Sequence, residues 1–356
     1  MRRSLSLVQP VLLPLLAWAA LVGLPTAGRS EPPKPSKIVF ETFDKAELQG
    51  TWYPSSVEGT KSPCVILLHR IGGNRLQEGW ESLAQALQEK GFAVMSFDFR
   101  GHGDSTTVRP EFWAVRPNTA NIRGANPKKE SISFKEFSPN YYSMLVNDLA
   151  AAKLAVEQKN NARECNSADV MIVGAEEGAA LGLLWMASEQ RRYKKNFDQL
   201  GRQVYNTDPE AKDLAGLVCL SLRPTLGGGS GGVRLPYTTI FNNAKMRELP
   251  MCFFYGDEDA AGKQFALTLY DKVLAADRNK LKLTFKVEME KTKLAGHELL
   301  GKKALGTEEL VAKYLADKVR DARPAKVWGE RDVGGPGRPN LNPLTAVPLG
   351  VFGINQ

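Results

Sequence analysis

Histidine is the scarcest chemically useful residue in this chain of 356: only His69, His102 and His297 occur. A mechanism that needs an imidazole base therefore has three candidates, and a multi-histidine metal centre is nearly excluded. Neither a metal nor a cofactor is expected. Cysteine is sparse too, with 4 residues, so the chain is no disulfide scaffold and its core must hold without staples. No apolar run reaches the roughly 20 residues that a membrane helix needs, so no stable membrane span is expected. The longest run, residues 11–24, is broken by Pro14 and Gly23, follows Arg2 and Arg3, and leads into small residues at 25–30. That pattern reads as an export signal over residues 1–28, cleaved after Gly28, with residues 29–36 as a linker and a periplasmic or extracellular destination. The absence of a cysteine after the run argues against a lipid-modified N-terminus.

A concentrated basic face is also missing. The 47 Lys and Arg against 39 Asp and Glu give a formal charge of +8, and two of those charges leave with the signal. The rest is spread over the pairs Lys128-Lys129, Arg191-Arg192, Lys194-Lys195 and Lys302-Lys303, with no interleaved aromatics. These read as solvated helix faces, and nucleic acid is not an expected partner.

What the chain does contain is a regular alternation. Residues 38–43 and 48–53 flank a short turn and predict an antiparallel hairpin. Continuous apolar runs at 64–68, 92–97, 170–173, 217–220 and 251–255, with a further strand at 281–287, alternate with helical patterns at 80–90, 142–158, 179–191, 264–276 and 307–323. This predicts an α/β fold, a mostly parallel sheet with helices on both faces. Two irregular segments, 106–140 and 223–249, are too short for a separate cap domain. The glycine run 226–232 lacks the following Lys-Ser or Lys-Thr of a phosphate loop and reads as a flexible connector. Residues 324–356, rich in Gly and Pro and without periodicity, are expected to form a loose or disordered tail. Cys64, Cys219 and Cys252 fall in apolar strands and read as buried thiols, while Cys165 precedes a strand in a polar loop. If the strands near Cys64 and Asp169 are neighbours, Cys64 and Cys165 sit at the same end of the sheet and are able to pair, although connectivity cannot be read from sequence alone.

Ligands of open parallel sheets bind beyond the carboxyl ends of the strands. Four such ends carry polar or glycine-rich motifs: His69-Arg70-Ile71-Gly72-Gly73-Asn74; Asp98 to Ser105, including Arg100-Gly101-His102-Gly103; Gly174-Ala175-Glu176-Glu177-Gly178; and the pair Gly256-Asp257-Glu258-Asp259 with Ala295-Gly296-His297-Glu298.

In order and spacing these motifs resemble the α/β-hydrolase superfamily of esterases, lipases and dienelactone hydrolases, over about residues 38–323. The resemblance implies a central sheet of about eight strands without a cap. It assigns the nucleophile position of the Gly-x-Ser-x-Gly elbow to Glu176, the acid to Asp259 rather than Asp257, the base to His297, and the two oxyanion-hole amides to Ile71 and Glu177. His102 falls in the family's structural turn, and His69 reads as a hydrogen-bonded structural residue.

The departure from the family lies at the elbow. A carboxylate has no hydroxyl proton for an imidazole to take, so Ser-type hydrolysis is expected to fail. The first expectation is therefore a degenerate hydrolase that binds a small ester-like ligand or a protein partner. The alternative is an active hydrolase of ester, epoxide or carbon–halogen bonds that uses Glu176 as nucleophile or water-activating base with His297 and Asp259. If His297 reaches Glu176, an ion pair flanked by Asp259 is expected. Arg70, where the family often has Gly, either joins Glu176 and Glu177 in the cleft or points to solvent. The sequence leaves oligomeric state open.

Overall fold

A computed structural model describes residues 32–197, 200, 202–227, 231–276, 283–334 and 343–354. The expected export signal and most of the linker lie outside the described residues.

The apolar runs form the middle of an eight-stranded sheet: β1 (Ser36–Glu41), β2 (Glu47–Tyr53), β3 (Pro63–Leu68), β4 (Ala93–Phe97), β5 (Asn166–Ala175), β6 (Leu214–Leu220), β7 (Met251–Gly256) and β8 (Phe285–Met289). Their order is β1-β2-β4-β3-β5-β6-β7-β8. The β1–β2 hairpin joins β4 antiparallel, and every other pairing in the sheet is parallel. Side chains alternate between two separate cores, as the strand period of two requires. Cys64, Ile66 and Leu68 of β3 face one core, and Val65 and Leu67 face the other.

Helices α1 (Trp80–Glu89) and α5 (Thr307–Tyr314) cover one face. Helices α2 (Val146–Asn161), α3 (Glu177–Glu189) and α4 (Ala260–Ala276) cover the other. Only α1 is clearly amphipathic in its sequence, burying Trp80, Leu83, Ala84 and Leu87 and leaving Glu81 and Gln85 outside. By contrast α3 is apolar on all sides, and every residue from Gly178 to Glu189 is buried. That helix runs through the middle of its layer, directly behind the elbow.

Several expectations need correction. The helix predicted over 142–158 starts at Val146, because Pro139 opens a 3-10 turn, Pro139–Leu145, that runs into it. The helix predicted over 307–323 leaves α geometry after Tyr314 and continues as a wider π turn over Leu315–Arg320. The basic pairs do not sit on helices. Lys194-Lys195 lies in a hairpin outside the main sheet, Tyr193–Phe197 with Gln203–Pro209, and the other three pairs lie in turns or irregular chain. Around the glycine run, Leu226 pairs with Val233 in a two-stranded ladder, while residues 228–230 lie outside the described residues.

The described parts of 324–356 are not loose. Arg331 pairs with Asp213 at 3.1 Å, the Trp328 indole N–H donates to the Asn160 carbonyl, and the Val347 N–H donates to Asn147 Oδ1 at 2.7 Å. Val347, Leu349, Phe352 and Ile354 are buried. Composition misled here because four apolar side chains, too irregularly spaced to show a period, are enough to anchor an extended segment on a neighbouring surface.

Candidate functional site

The turn from β5 into α3 is the sharp elbow that the glycine spacing predicts. Glu176 holds φ 49° and ψ −114°, a conformation L-residues rarely adopt, and its N–H donates to the Leu220 carbonyl at 2.9 Å. Both flanking glycines are sterically required. A Cβ at Gly174 would lie 2.6 Å from the Ala179 backbone, and one at Gly178 would lie 2.4 Å from the His69 carbonyl oxygen. Helix and strand approach too closely there for any side chain.

The Glu176 carboxylate emerges at the carboxyl end of the sheet and is held by two arginines. Arg223 donates to Oε1 through Nε at 3.2 Å and Nη2 at 3.0 Å. Arg70 Nε stands 3.5 Å from Oε2. Through Nη1, Arg223 also donates to Asp259 Oδ1 at 3.1 Å, so a single guanidinium bridges the elbow carboxylate and the carboxylate after β7. Asp259 Oδ1 additionally accepts the Gly262 N–H at 3.1 Å, which ties it to the first turn of α4. The two carboxylates keep the Arg223 guanidinium above its ordinary range, against the opposing effect of burial.

Arg223 is the residue that sequence reading missed. It follows β6 by three positions, at the one central parallel strand end that carries no glycine motif. Ser221, with φ 51°, turns the chain sharply just before it.

Asp259 rather than Asp257 faces this cluster. Asp257 accepts the backbone N–H groups of Lys291 and Thr292, both at 2.9 Å, and those bonds hold its carboxyl below the usual range. His297 is close to Glu176 but not bonded to it. It lies in a 3-10 turn, Gly296–Leu299, packed so tightly over the elbow that a Cβ on Gly296 would meet Glu176 Cγ at 2.8 Å. Among the described residues no hydrogen bond or ion pair joins His297 to Glu176 or Asp259, and its Nδ1 is buried without a partner. Burial and the Arg70 charge lower its pKa, which favours the neutral ring. The expected Glu176–His297 pair is therefore replaced by the Arg223 bridge. A guanidinium is permanently charged and forks to two acceptors, whereas a half-buried imidazole beside an arginine has little reason to take up a proton.

At the oxyanion-hole positions, Ile71 lies inside a turn closed by the Gly73 N–H to the Arg70 carbonyl at 3.0 Å. The Glu177 backbone N–H, the second expected donor, stands at the first residue of α3, directly after the elbow. Burial, then the neighbouring Glu176 charge, raises the Glu177 carboxyl above its ordinary value. Arg70 does face Glu176, as one of the two readings expected, although its side chain remains 41% exposed.

The other two histidines are structural. His69 Nε2 accepts the Phe99 N–H at 3.0 Å, so Nδ1 carries the proton and donates to the Arg70 carbonyl at 2.7 Å. Burial lowers its pKa to about 4. His102 bonds the Arg100 carbonyl through Nδ1, stacks on Phe134 at 4.5 Å, and is lowered to about 3 by burial.

No family model matches the sequence, and no curated protein sequence matches it. The fold is similar to solved structures. An esterase from Pyrococcus furiosus superposes with a TM-score of 0.51 at 13% identity, over 80% of this chain and 91% of the other. A dienelactone hydrolase from Anabaena variabilis gives 0.49 at 12% identity, over 82% and 100%. Together with the eight-stranded sheet and its elbow, the likeness to the esterase shows an α/β-hydrolase fold.

Proposed function

We propose that this protein is a degenerate hydrolase: an exported α/β-hydrolase-fold protein that has no catalytic nucleophile and serves as a binding protein for a small ester-like ligand or a protein partner. The observation that carries this reading is the bridge from Arg223 to both Glu176 and Asp259. The position where a hydrolase needs a free hydroxyl holds a carboxylate neutralised by a forked guanidinium. The competing reading, Glu176 attacking carbon or activating water, fits these contacts poorly. A carboxylate oxygen accepting two N–H donors is a weakened nucleophile and base, and His297 is not hydrogen-bonded to it. The esterase whose fold it shares suggests an ester or acid as the ligand class.

Labelling with a serine-directed fluorophosphonate tests the reading. The expected result is no covalent adduct at any serine of the folded protein, and stoichiometric labelling of one serine overturns it. Export is tested separately, by fractionating cells that express the full chain and measuring whether the product begins at residue 29.

A further inference from the structure

Four cysteines are buried and unbonded, but only two are placed to react with each other. Strands β3 and β5 are parallel neighbours, with Pro63 paired to Asn166 and the Asn166 N–H donating to the Ser62 carbonyl at 2.7 Å. Cys64 and Cys165 flank that rung. Both are buried in the same core, one residue to either side of the rung. Cys219 and Cys252 also lie on adjacent strands, with Val218 directly opposite Cys252. These two are one register position apart and project into different cores, Cys219 on the α3 side of the sheet and Cys252 on the α5 side. The sheet itself stands between their sulfurs.

We infer that Cys64 and Cys165 form a cystine site: a chain folded under oxidising conditions closes this one disulfide and keeps Cys219 and Cys252 as thiols. The chemistry is thiol–disulfide exchange with a small-molecule disulfide such as oxidised glutathione. One cysteine thiolate attacks it and releases one glutathione thiol. The second cysteine then attacks the mixed disulfide and releases the other, so two protein thiols become one cystine while one glutathione disulfide becomes two thiols. Because burial raises the Cys64 thiol well above its ordinary range, little thiolate exists once the chain is folded. The exchange therefore belongs to folding, before the two sulfurs are enclosed.

The test uses the full chain, unfolded, reduced, and refolded in a glutathione-disulfide buffer, so its outcome does not depend on where the protein resides or what it binds. Alkylation under denaturing conditions and peptide mapping then read the thiols. The expected result is a chain lighter by two hydrogens, with a Cys64–Cys165 linked peptide and alkylation only at Cys219 and Cys252. The linkage persists in Cys219→Ser/Cys252→Ser and disappears in Cys165→Ser. Four alkylated cysteines in the refolded wild type, with its secondary structure confirmed by circular dichroism, overturn the inference, as does any linkage through Cys219 or Cys252.

Discussion

Arg223 grips Glu176 through two nitrogens on one carboxylate oxygen, at 3.2 and 3.0 Å, while its third nitrogen holds Asp259. The guanidinium thus lies between the two carboxylates, each of which keeps most of its surface out of water. In the α/β-hydrolase arrangement an imidazole connects nucleophile and acid. In this chain a permanent cation makes that connection, and His297 is left beside it without a bond from Nδ1.

Removing the grip leaves two partly buried carboxylates facing each other without a counter-charge. Arg223→Met is expected to lower unfolding free energy by about 1–3 kcal/mol, read from the urea midpoint at neutral pH. Glu176→Gln/Arg223→Met should recover part of that loss, since it removes one of the stranded charges. An Arg223→Met variant as stable as wild type contradicts the described contacts.

The same geometry predicts what is needed to rebuild a nucleophile. Glu176→Ser alone leaves Arg223 on Asp259 and is expected to stay unreactive toward fluorophosphonate. Glu176→Ser/Arg223→Met frees Asp259 and the space beside His297, and is expected to label. Equal labelling of the two variants would show that Arg223 does not block the site.

The elbow should tolerate no added atom on its helix side. Gly178→Ala places a methyl 2.4 Å from the His69 carbonyl oxygen, against rigid backbone, and is expected to cost about 1–3 kcal/mol in a denaturant titration. Gly124→Ala, whose Cβ meets nothing within 4 Å but whose φ is 70°, separates backbone strain from crowding and should cost about 1 kcal/mol.

Acid should weaken the fold through His69 and His102. Both have folded-state pKa values, about 4 and about 3, below the unfolded value of 6.5. The unfolded chain therefore binds their protons first. Stability is complete above pH 6.5 and falls as pH drops toward 4, by about 2 kcal/mol per histidine at pH 5. Urea midpoints at pH 7.5 and 5 read this directly, and His102→Gln should flatten the dependence. An unchanged midpoint would mean that these rings are not held neutral.

The fold was legible because its signals are local. The unbroken apolar runs of β3, β5 and β7 announce strands covered on both faces, and Gly174 and Gly178 announce a crossing too close for side chains. Within the site, the resemblance to hydrolases singles out Glu176, Asp259 and His297, and the loop after β3 offers Arg70; in the structure Arg223 links Glu176 to Asp259, Arg70 faces Glu176, and the turn that carries His297 packs over the elbow. Arg223 was not found, because a lone arginine after β6 carries no spacing signal and only the folded chain swings it back onto the elbow. The C-terminal segment failed for a related reason. Val347, Leu349, Phe352 and Ile354 have no period, since they bury one by one against surfaces made by distant parts of the chain. Deleting residues 343–356 is therefore expected to lower unfolding free energy by roughly 3 kcal/mol, and a truncated chain with an unchanged urea midpoint contradicts that packing.

The central claim, that the Arg223–Glu176–Asp259 bridge leaves no working hydrolase, is tested most directly by steady-state turnover of short aryl esters and epoxides by the wild-type chain with a His297→Ala control. Rates no higher than buffer are expected, and the same for both proteins. Multiple turnover by the wild type that disappears in His297→Ala would contradict it, and would make Glu176 a working nucleophile or base.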